Sequence, residues 1–178
     1  MKKRIAFVHN AMWEMYNFRG ELLQELKAKG YEITVICPPD EKNAHYFTDL
    51  GIKLLTVPMS RKGTNIKEDV QLVKNLFKVY KKEKFDLVFH YTIKPNIYGT
   101  LSAKLAGIKS IAITTGLGYV FLHNNITSLI AKFMYKFSLA FANEVWFLND
   151  DDMNIFLDKD LITERQAFKL PSEGINTK

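Results

Sequence analysis

Residues 4–37 read RIAFVHNAMWEMYNFRGELLQELKAKGYEITVIC, and the order of patterns in them decides the fold. Residues 4–9 (RIAFVH) form a short apolar run that predicts a strand. Residues 18–29 carry Leu22, Leu23 and Leu26 at helical spacing and stop at Gly30, which predicts a helix. Residues 32–37 (EITVIC) are a second apolar run, ended by Pro38 and Pro39. Both runs are apolar at nearly every position. Strands covered on both faces of a parallel sheet look like this, whereas half-exposed strands alternate. Strand, helix and parallel strand in succession make a right-handed crossover unit.

The same rhythm continues outward. Residues 43–50 predict a short helix stopped by Gly51, and 53–57 a third strand. Residues 66–83 predict a long helix with Ile66, Val70, Val73, Phe77 and Tyr80 on its inward face. Residues 86–90 (DLVFH) predict a fourth strand. Residues 95–105 predict a helix with Pro95 in its first turn, where a missing N–H is harmless, closed by Gly107. Residues 110–114 predict a fifth strand. A helix follows over 127–141, with Ile130, Phe133, Met134, Phe137 and Phe141 inward. Strands at 144–148 and 167–170 flank a helix at 151–157. The expectation is an α/β fold: a doubly wound, mainly parallel Rossmann-like sheet with helices on both faces. A chain of 178 residues suits one such domain.

Composition narrows the function classes. No apolar run reaches the roughly 20 residues of a membrane span, and the opening MKKRIAFV is too short for a secretory leader. The single cysteine, Cys37, has no internal disulfide partner. The net charge of +6 favours anionic ligands. Patterns of nucleic-acid-reading modules are absent, which leaves phosphorylated ligands, a membrane surface or a plain basic domain.

Ligands in doubly wound folds bind beyond the carboxyl ends of the strands. The residues to weigh are therefore His9-Asn10, His90-Tyr91-Thr92, Thr115-Gly116-Leu117-Gly118, Asn149-Asp150 and those from Pro171 onward. The stretch 113–121, ITTGLGYVF, is not a dinucleotide fingerprint. Phe121 stands at the third glycine position, and Gly118 lies well short of the next helix. A substrate-facing loop and a plain glycine turn both remain. Asp150 and Asp152 match a D-x-D metal pattern, but at a strand-to-helix junction Asn149 and the acids suit capping instead. Of the histidines His9, His45, His90 and His123, the first and third end strands that are neighbours in the usual order. That would put both rings on one rim, as ligand contacts or as satisfied buried groups. Residues 10–19 (NAMWEMYNFR) read as an aromatic βα loop, for sugar or lipid contact or for packing the helix start. Lys74, Lys78, Lys81 and Lys82 fall on one helix, Lys132 and Lys136 on another. Either set suits an anionic lipid surface or a solvated face.

The pieces FVHNAMWEMYNFRGELLQELKAKGYEITVICP, HYTIKPNIYGTLSAKLAGI, ITTGLGYVF, VWFLNDDDMNIF and KLPSEGINT, in this order, carry a resemblance. The chain resembles the N-terminal domain of a bacterial glycosyltransferase of family 4, with the GT-B fold, of the kind that builds capsule, O-antigen or other lipid-linked glycans. The resemblance covers essentially the whole chain. It implies a Rossmann-like acceptor-binding domain over 1–170 and the start of an interdomain linker over 171–178, with a nucleotide-sugar domain absent from this chain.

The implied activity is retaining, metal-independent transfer of a sugar, an N-acetylhexosamine by resemblance, from a UDP-sugar to a lipid-linked saccharide, with no cofactor. The fragment alone is expected to be inactive. The resemblance places Thr115, Gly116, Leu117 and Gly118 toward the donor in the cleft. Asn10, Phe18, Arg19, His90, Lys94 and Tyr119 are expected to line the acceptor side, with Lys94 or Arg19 pairing its diphosphate. Glu173 and Gly174 belong to the interdomain turn, and Lys132 and Lys136 to a membrane face. Two positions depart from the family: Thr115 where many members keep a histidine, and Ser172 where glycine is usual. The expected location is cytoplasmic, peripheral on the inner face of the membrane, with no nucleic-acid partner. A non-catalytic membrane-recruiting half of a split enzyme and half of a nucleotide-sugar epimerase are the alternatives. For the epimerase, Glu14 is the evident acid.

Overall fold

Each apolar run predicted as a strand pairs side by side with others in one parallel sheet of seven strands. The strands are β1 (Arg4–Val8), β2 (Glu32–Cys37), β3 (Lys53–Thr56), β4 (Leu87–Tyr91), β5 (Lys109–Thr114), β6 (Glu144–Phe147) and β7 (Ala167–Lys169). Their order is β3-β2-β1-β4-β5-β6-β7, with every pair parallel. The helices are α1 (Met12–Ala28), α2 (His45–Asp49), α3 (Ile66–Glu83), α4 (Thr100–Ala106), α5 (Ile126–Leu139) and α6 (Asp150–Asp158). A π-helical turn, Pro95–Gly99, leads into α4, and a 3₁₀ turn, Glu164–Gln166, precedes β7. The computed structural model describes residues 2–61, 63, 65–116 and 126–171.

The doubly wound expectation holds, and the order of strands explains the two faces. On one face α1 and α2 pack on β1 and β2 through Met12, Met15, Leu23 and Phe47 against Phe7, Ile33 and Val35. On the other, α3 and α4 cover Ala6, Val8, Ile36 and Val88 with Leu72, Leu76, Tyr80 and Ala103. There α5 and α6 cover Ala112, Val145 and Phe147 with Tyr135, Leu139 and Phe156. Crossovers running from β1 toward β3 and from β4 toward β7 thus lie on opposite faces, as right-handedness requires. Burying each large side chain contributes about 1.5–3 kcal/mol, so these layers dominate the stability.

Three local expectations are corrected. The aromatic stretch 10–19 is not a loop: α1 begins at Met12, directly after β1, and Met12, Met15, Arg19 and Leu23 form its buried stripe. On α3 the buried residues are Asp69, Leu72, Leu76, Tyr80 and Glu83, while Ile66 and Val70 are exposed. The helix is rotated from its expected face because its two buried acids have partners. Asp69 meets Lys94 and Tyr98; Glu83 meets Arg4 and Lys53. On α5 the inward residues are Ser128, Tyr135, Ser138 and Leu139, with Met134 packed on the core as expected, whereas Ile130, Phe133 and Phe137, and Phe141 just past the helix end, are exposed. Small serines on the inward side allow close approach to the π-helical turn Pro95–Gly99, and the bulky stripe is turned away.

Candidate functional site

β1, β4 and β5 lie side by side and end at the same edge, so the residues after them converge. His9 is buried, and its Nδ1 accepts from the Ala11 N–H at 2.9 Å. Burial, and then the charges of Arg19 and Arg61, push its pKa down to about 4. The ring is therefore neutral near pH 7, with its proton on Nε2, 3.7 Å from Glu14 Oε2. Glu14 pairs in turn with Arg61. Asn10 is buried beside it.

The Arg19 guanidinium stands 4.7 Å over the Tyr91 ring and 5.7 Å from the Phe18 ring, which fixes its plane by cation–π contact. Phe18 is part-exposed and meets the exposed Trp13 edge-on, with ring centroids 6.3 Å apart. Arg19, Phe18 and Tyr91 also line a groove of about 1290 Å³ beside α1, floored by Phe7, Phe89 and Trp146. That groove runs along the sheet face rather than across the carboxyl edge. It lies where, among the described residues, β4 to β6 carry no crossover helix on the α1 side.

After β4 and β5 the backbone is unusual. Thr92 has φ +69°, a left-handed conformation that a β-branched residue rarely adopts. Its buried hydroxyl has no hydrogen-bond partner among the described residues, and neither does that of Thr114. Asn96 holds the next turn against β5 by donating from Nδ2 to the Ile113 carbonyl at 3.0 Å. Thr115 and Gly116 are exposed, and Gly116 has φ +144°, a region reserved for glycine. A Cβ there would meet nothing within 4 Å. The glycine is needed for its backbone angle rather than for space among the described residues. Leu117, Gly118, Tyr119, His123, Ser172, Glu173 and Gly174 lie outside the described residues.

Two expected acceptor contacts are corrected. Val8 and His90 are register partners, so His90 points to the sheet face opposite His9. Its ring is wholly buried against α3, 2.9 Å from the Tyr80 hydroxyl and 3.4 Å from that of Thr100. It does not reach the rim. Lys94 is buried too, its ammonium 2.7 Å from Asp69 Oδ1 and 2.8 Å from Ser60 Oγ. It ties the turn after β4 to α3 and is not presented to a ligand. Asn10 follows β1 and Thr115 and Gly116 follow β5 at the carboxyl edge, whereas Phe18 and Arg19 lie further along α1 on the groove over the sheet face, Arg19 within the buried stripe. Thr92 is picked out by its place after β4, but its left-handed backbone is not legible from sequence, because no local pattern marks a threonine that will adopt it.

The acidic run serves the helix. Asn149 caps α6, its side-chain oxygen accepting from the Asp152 N–H at 2.7 Å, with Asp150, Asp151 and Asp152 in the first turn. Asp150 is paired with Lys169. Asn149→Ala is expected to lower stability by about 1 kcal/mol in urea denaturation. An unchanged midpoint would show that this cap contributes nothing. Cys37 is buried, its thiol pushed up to about 12 chiefly by desolvation, and is chemically quiet.

Residues 4–149 match the family described as Glycosyl transferase 4-like. The chain belongs to that family. Two curated relatives are similar to this glycosyl transferase 4-like chain. One, from Campylobacter jejuni, is an N,N'-diacetylbacillosaminyl-diphospho-undecaprenol alpha-1,3-N-acetylgalactosaminyltransferase. It is 31% identical over 98% of this chain and 47% of its own length. The other, from Escherichia coli, is a UDP-Gal:alpha-D-GlcNAc-diphosphoundecaprenol alpha-1,3-galactosyltransferase. It is 23% identical over 82% of this chain and 38% of its own. The chain thus spans about half the length, or less, of the curated relatives it matches. A UDP-GlcNAc 2-epimerase from Neisseria meningitidis, solved with UDP-GlcNAc bound, superposes with a TM-score of 0.70. It is 14% identical, covering 96% of this chain and 47% of that one. At that identity the likeness shows the fold alone, and lends no weight to epimerase chemistry.

Proposed function

We propose that this domain is the acceptor side of a retaining, metal-independent glycosyltransferase. It would move an N-acetylhexosamine from a UDP-sugar to a polyprenyl-diphosphate-linked saccharide. One observation carries the reading: along 98% of its length the chain aligns with a transferase whose named acceptor is a diphospho-undecaprenol-linked sugar. The geometry supports it. Phe18 and Arg19 line the groove on the sheet face beside Tyr91, where the Trp13–Phe18 pair would suit a sugar face and the Arg19 guanidinium a diphosphate, and Asn10 follows β1 at the carboxyl edge. Tyr119 joins them by resemblance. Thr115 and Gly116, with Leu117 and Gly118 after them, would face the donor. A second domain, reached through Glu173 and Gly174, would hold the nucleotide sugar. Catalysis would rest on positioning and on stabilising the leaving diphosphate. The domain would work at the cytoplasmic membrane surface, with Lys132 and Lys136 toward it.

The test is titration of this chain with a short-chain polyprenyl-diphosphate-linked N-acetylglucosamine, followed by emission of Trp13 at the rim. Saturable binding is expected. Arg19→Ala is expected to weaken it roughly tenfold, as loss of a charge-assisted pair does. Arg19→Lys should weaken it less. Absence of binding, or equal binding by Arg19→Ala with an intact circular dichroism spectrum, overturns the reading.

A further inference from the structure

The His9 ring and the Glu14 carboxylate face each other across a gap. His9 accepts the Ala11 N–H at Nδ1, so its proton sits on Nε2, and Nε2 stands 3.7 Å from Glu14 Oε2. A direct N–H···O hydrogen bond spans about 2.7–3.2 Å, so the two groups do not bond each other. The other carboxylate oxygen, Oε1, accepts from Arg61, which holds the group in place. Clamping the loop after β3 to α1 in this way uses Oε1 alone. Among the described residues nothing donates to Oε2 within hydrogen-bond reach. Glu14 sits in the first turn of α1, where the helix N-terminus favours a negative charge. Its side chain is 29% exposed, so a ligand can reach it. Glu14 precedes Phe18 by four residues on one side of α1. The Tyr91 ring under the Arg19 guanidinium lies 6.0 Å from the His9 ring. The pair therefore adjoins both the aromatic rim and the cation of the groove.

We infer that His9 and Glu14 together hold one hydroxyl of the acceptor sugar, which donates to Glu14 Oε2 and accepts from His9 Nε2–H. Two polar groups more than about 3.5 Å apart suit a bridging group. An oxygen about 2.8 Å from each atom spans this gap. A hydroxyl satisfies both ends because it is donor and acceptor at once. A phosphate oxygen takes the His9 proton but has no hydrogen for Glu14, whose charge repels it. An ammonium serves Glu14 and has nothing to accept the His9 proton. The site thus selects a neutral hydroxyl beside a cation that suits the diphosphate. The inference rests on the proposed function for the ligand that carries the hydroxyl. It adds a point of recognition on the sugar itself to the aromatic and cationic contacts. Both residues position the sugar, and neither is assigned a proton transfer.

The experiment titrates this chain, by Trp13 emission, with the short-chain polyprenyl-diphosphate-linked N-acetylglucosamine and with its monodeoxy analogues, each lacking one sugar hydroxyl. One analogue is expected to bind roughly tenfold more weakly than the parent, as loss of a hydrogen bond to a charged group does. Glu14→Ala should bring the parent down to about the affinity of that analogue. The analogue itself should lose less than about twofold in this variant, because the partner of the missing hydroxyl is already gone. Glu14→Gln keeps an acceptor without the charge and should lie between. The side-chain oxygen of His9→Asn can still accept the Ala11 N–H, but the Nε2–H is gone, so the same discrimination should shrink. Circular dichroism checks that each variant is folded. Three results overturn the inference: analogues that all bind like the parent, a discrimination that survives unchanged in Glu14→Ala, or an equal loss in Glu14→Ala for the polyprenyl diphosphate that lacks the sugar. The last would show that Glu14 acts through charge or fold and not on a hydroxyl. Absence of binding by every ligand removes the proposed function, and the inference with it. Binding of the parent that depends on Arg19 but not on Glu14 removes the inference alone.

Discussion

Gly99→Ala is expected to destabilise the domain by about 3 kcal/mol and lower its melting temperature by roughly 10 °C, from overpacking plus a strained hydrogen bond. Gly99 has ordinary helical angles, φ −67° and ψ −43°, so its backbone needs no glycine. On propensity alone, alanine would stabilise a helical site by up to about 1 kcal/mol. Space decides the sign. A Cβ at Gly99 would lie 2.5 Å from Cδ2 and 2.6 Å from Nε2 of His90. That ring is wholly buried and held by Tyr80 and Thr100, so it has nowhere to retreat. A double-mutant cycle in thermal unfolding isolates the clash. Adding His90→Ala should recover much of the loss, with a coupling of about 1–3 kcal/mol. A stabilised Gly99→Ala would refute the close packing of the turn after β4 on β4.

The second large effect is acid sensitivity well above the carboxylate range. Burial pushes the His90 pKa down to about 3, and burial with Arg19 and Arg61 pushes His9 down to about 4, against 6.5 for a free histidine. Below pH 6.5 the unfolded chain takes up protons that the folded protein refuses. Both histidines therefore contribute stability that is fully present above pH 6.5. It is lost as pH falls toward about 4 for His9 and about 3 for His90. Each refused proton is worth about 1.4 kcal/mol per pH unit, so the two together give a slope of about 3 kcal/mol per unit between pH 6 and 4. Glu83, held below its usual range mainly by the Lys53 hydrogen bond, adds its loss at the acid end. Urea midpoints between pH 7.5 and 4.5 measure the slope, and His90→Gln should halve it. A flat profile from pH 7 to 5 would contradict the burial of both rings as neutral groups.

Much of the architecture is legible in the sequence because parallel strands buried on both faces must be apolar throughout. The runs at β1, β2, β4 and β5 announce themselves, and the alternation with helices follows. Helix faces are less legible. A 3.6-residue period says that a helix has a stripe, not which neighbour the stripe meets. On α3 the stripe includes two acids, whose partners on β1, β3, the turn after β4 and Tyr98 are distant in sequence. On α5 the bulky stripe is the outer one. The leucine spacing starts α1 only at residue 18, because an aromatic-rich segment looks like a loop until Met12, Met15 and Arg19 are seen to share a buried side. The asymmetry of His9 and His90 follows from strand alternation, yet it needs the pairing of Val8 with His90 to be known.

By itself the sequence determined the class of fold, the cap at Asn149 and the membership carried by the ordered motifs. Those features depend on neighbours along the chain, or on the apolar character that any strand in such a sheet needs. Only the tertiary structure decided that His90 and Lys94 are spent inside the protein, that Thr92 is left-handed, and that α5 presents aromatics outward. Each of these depends on groups far apart in sequence competing for the same space or the same charge, and no local pattern encodes which of them wins.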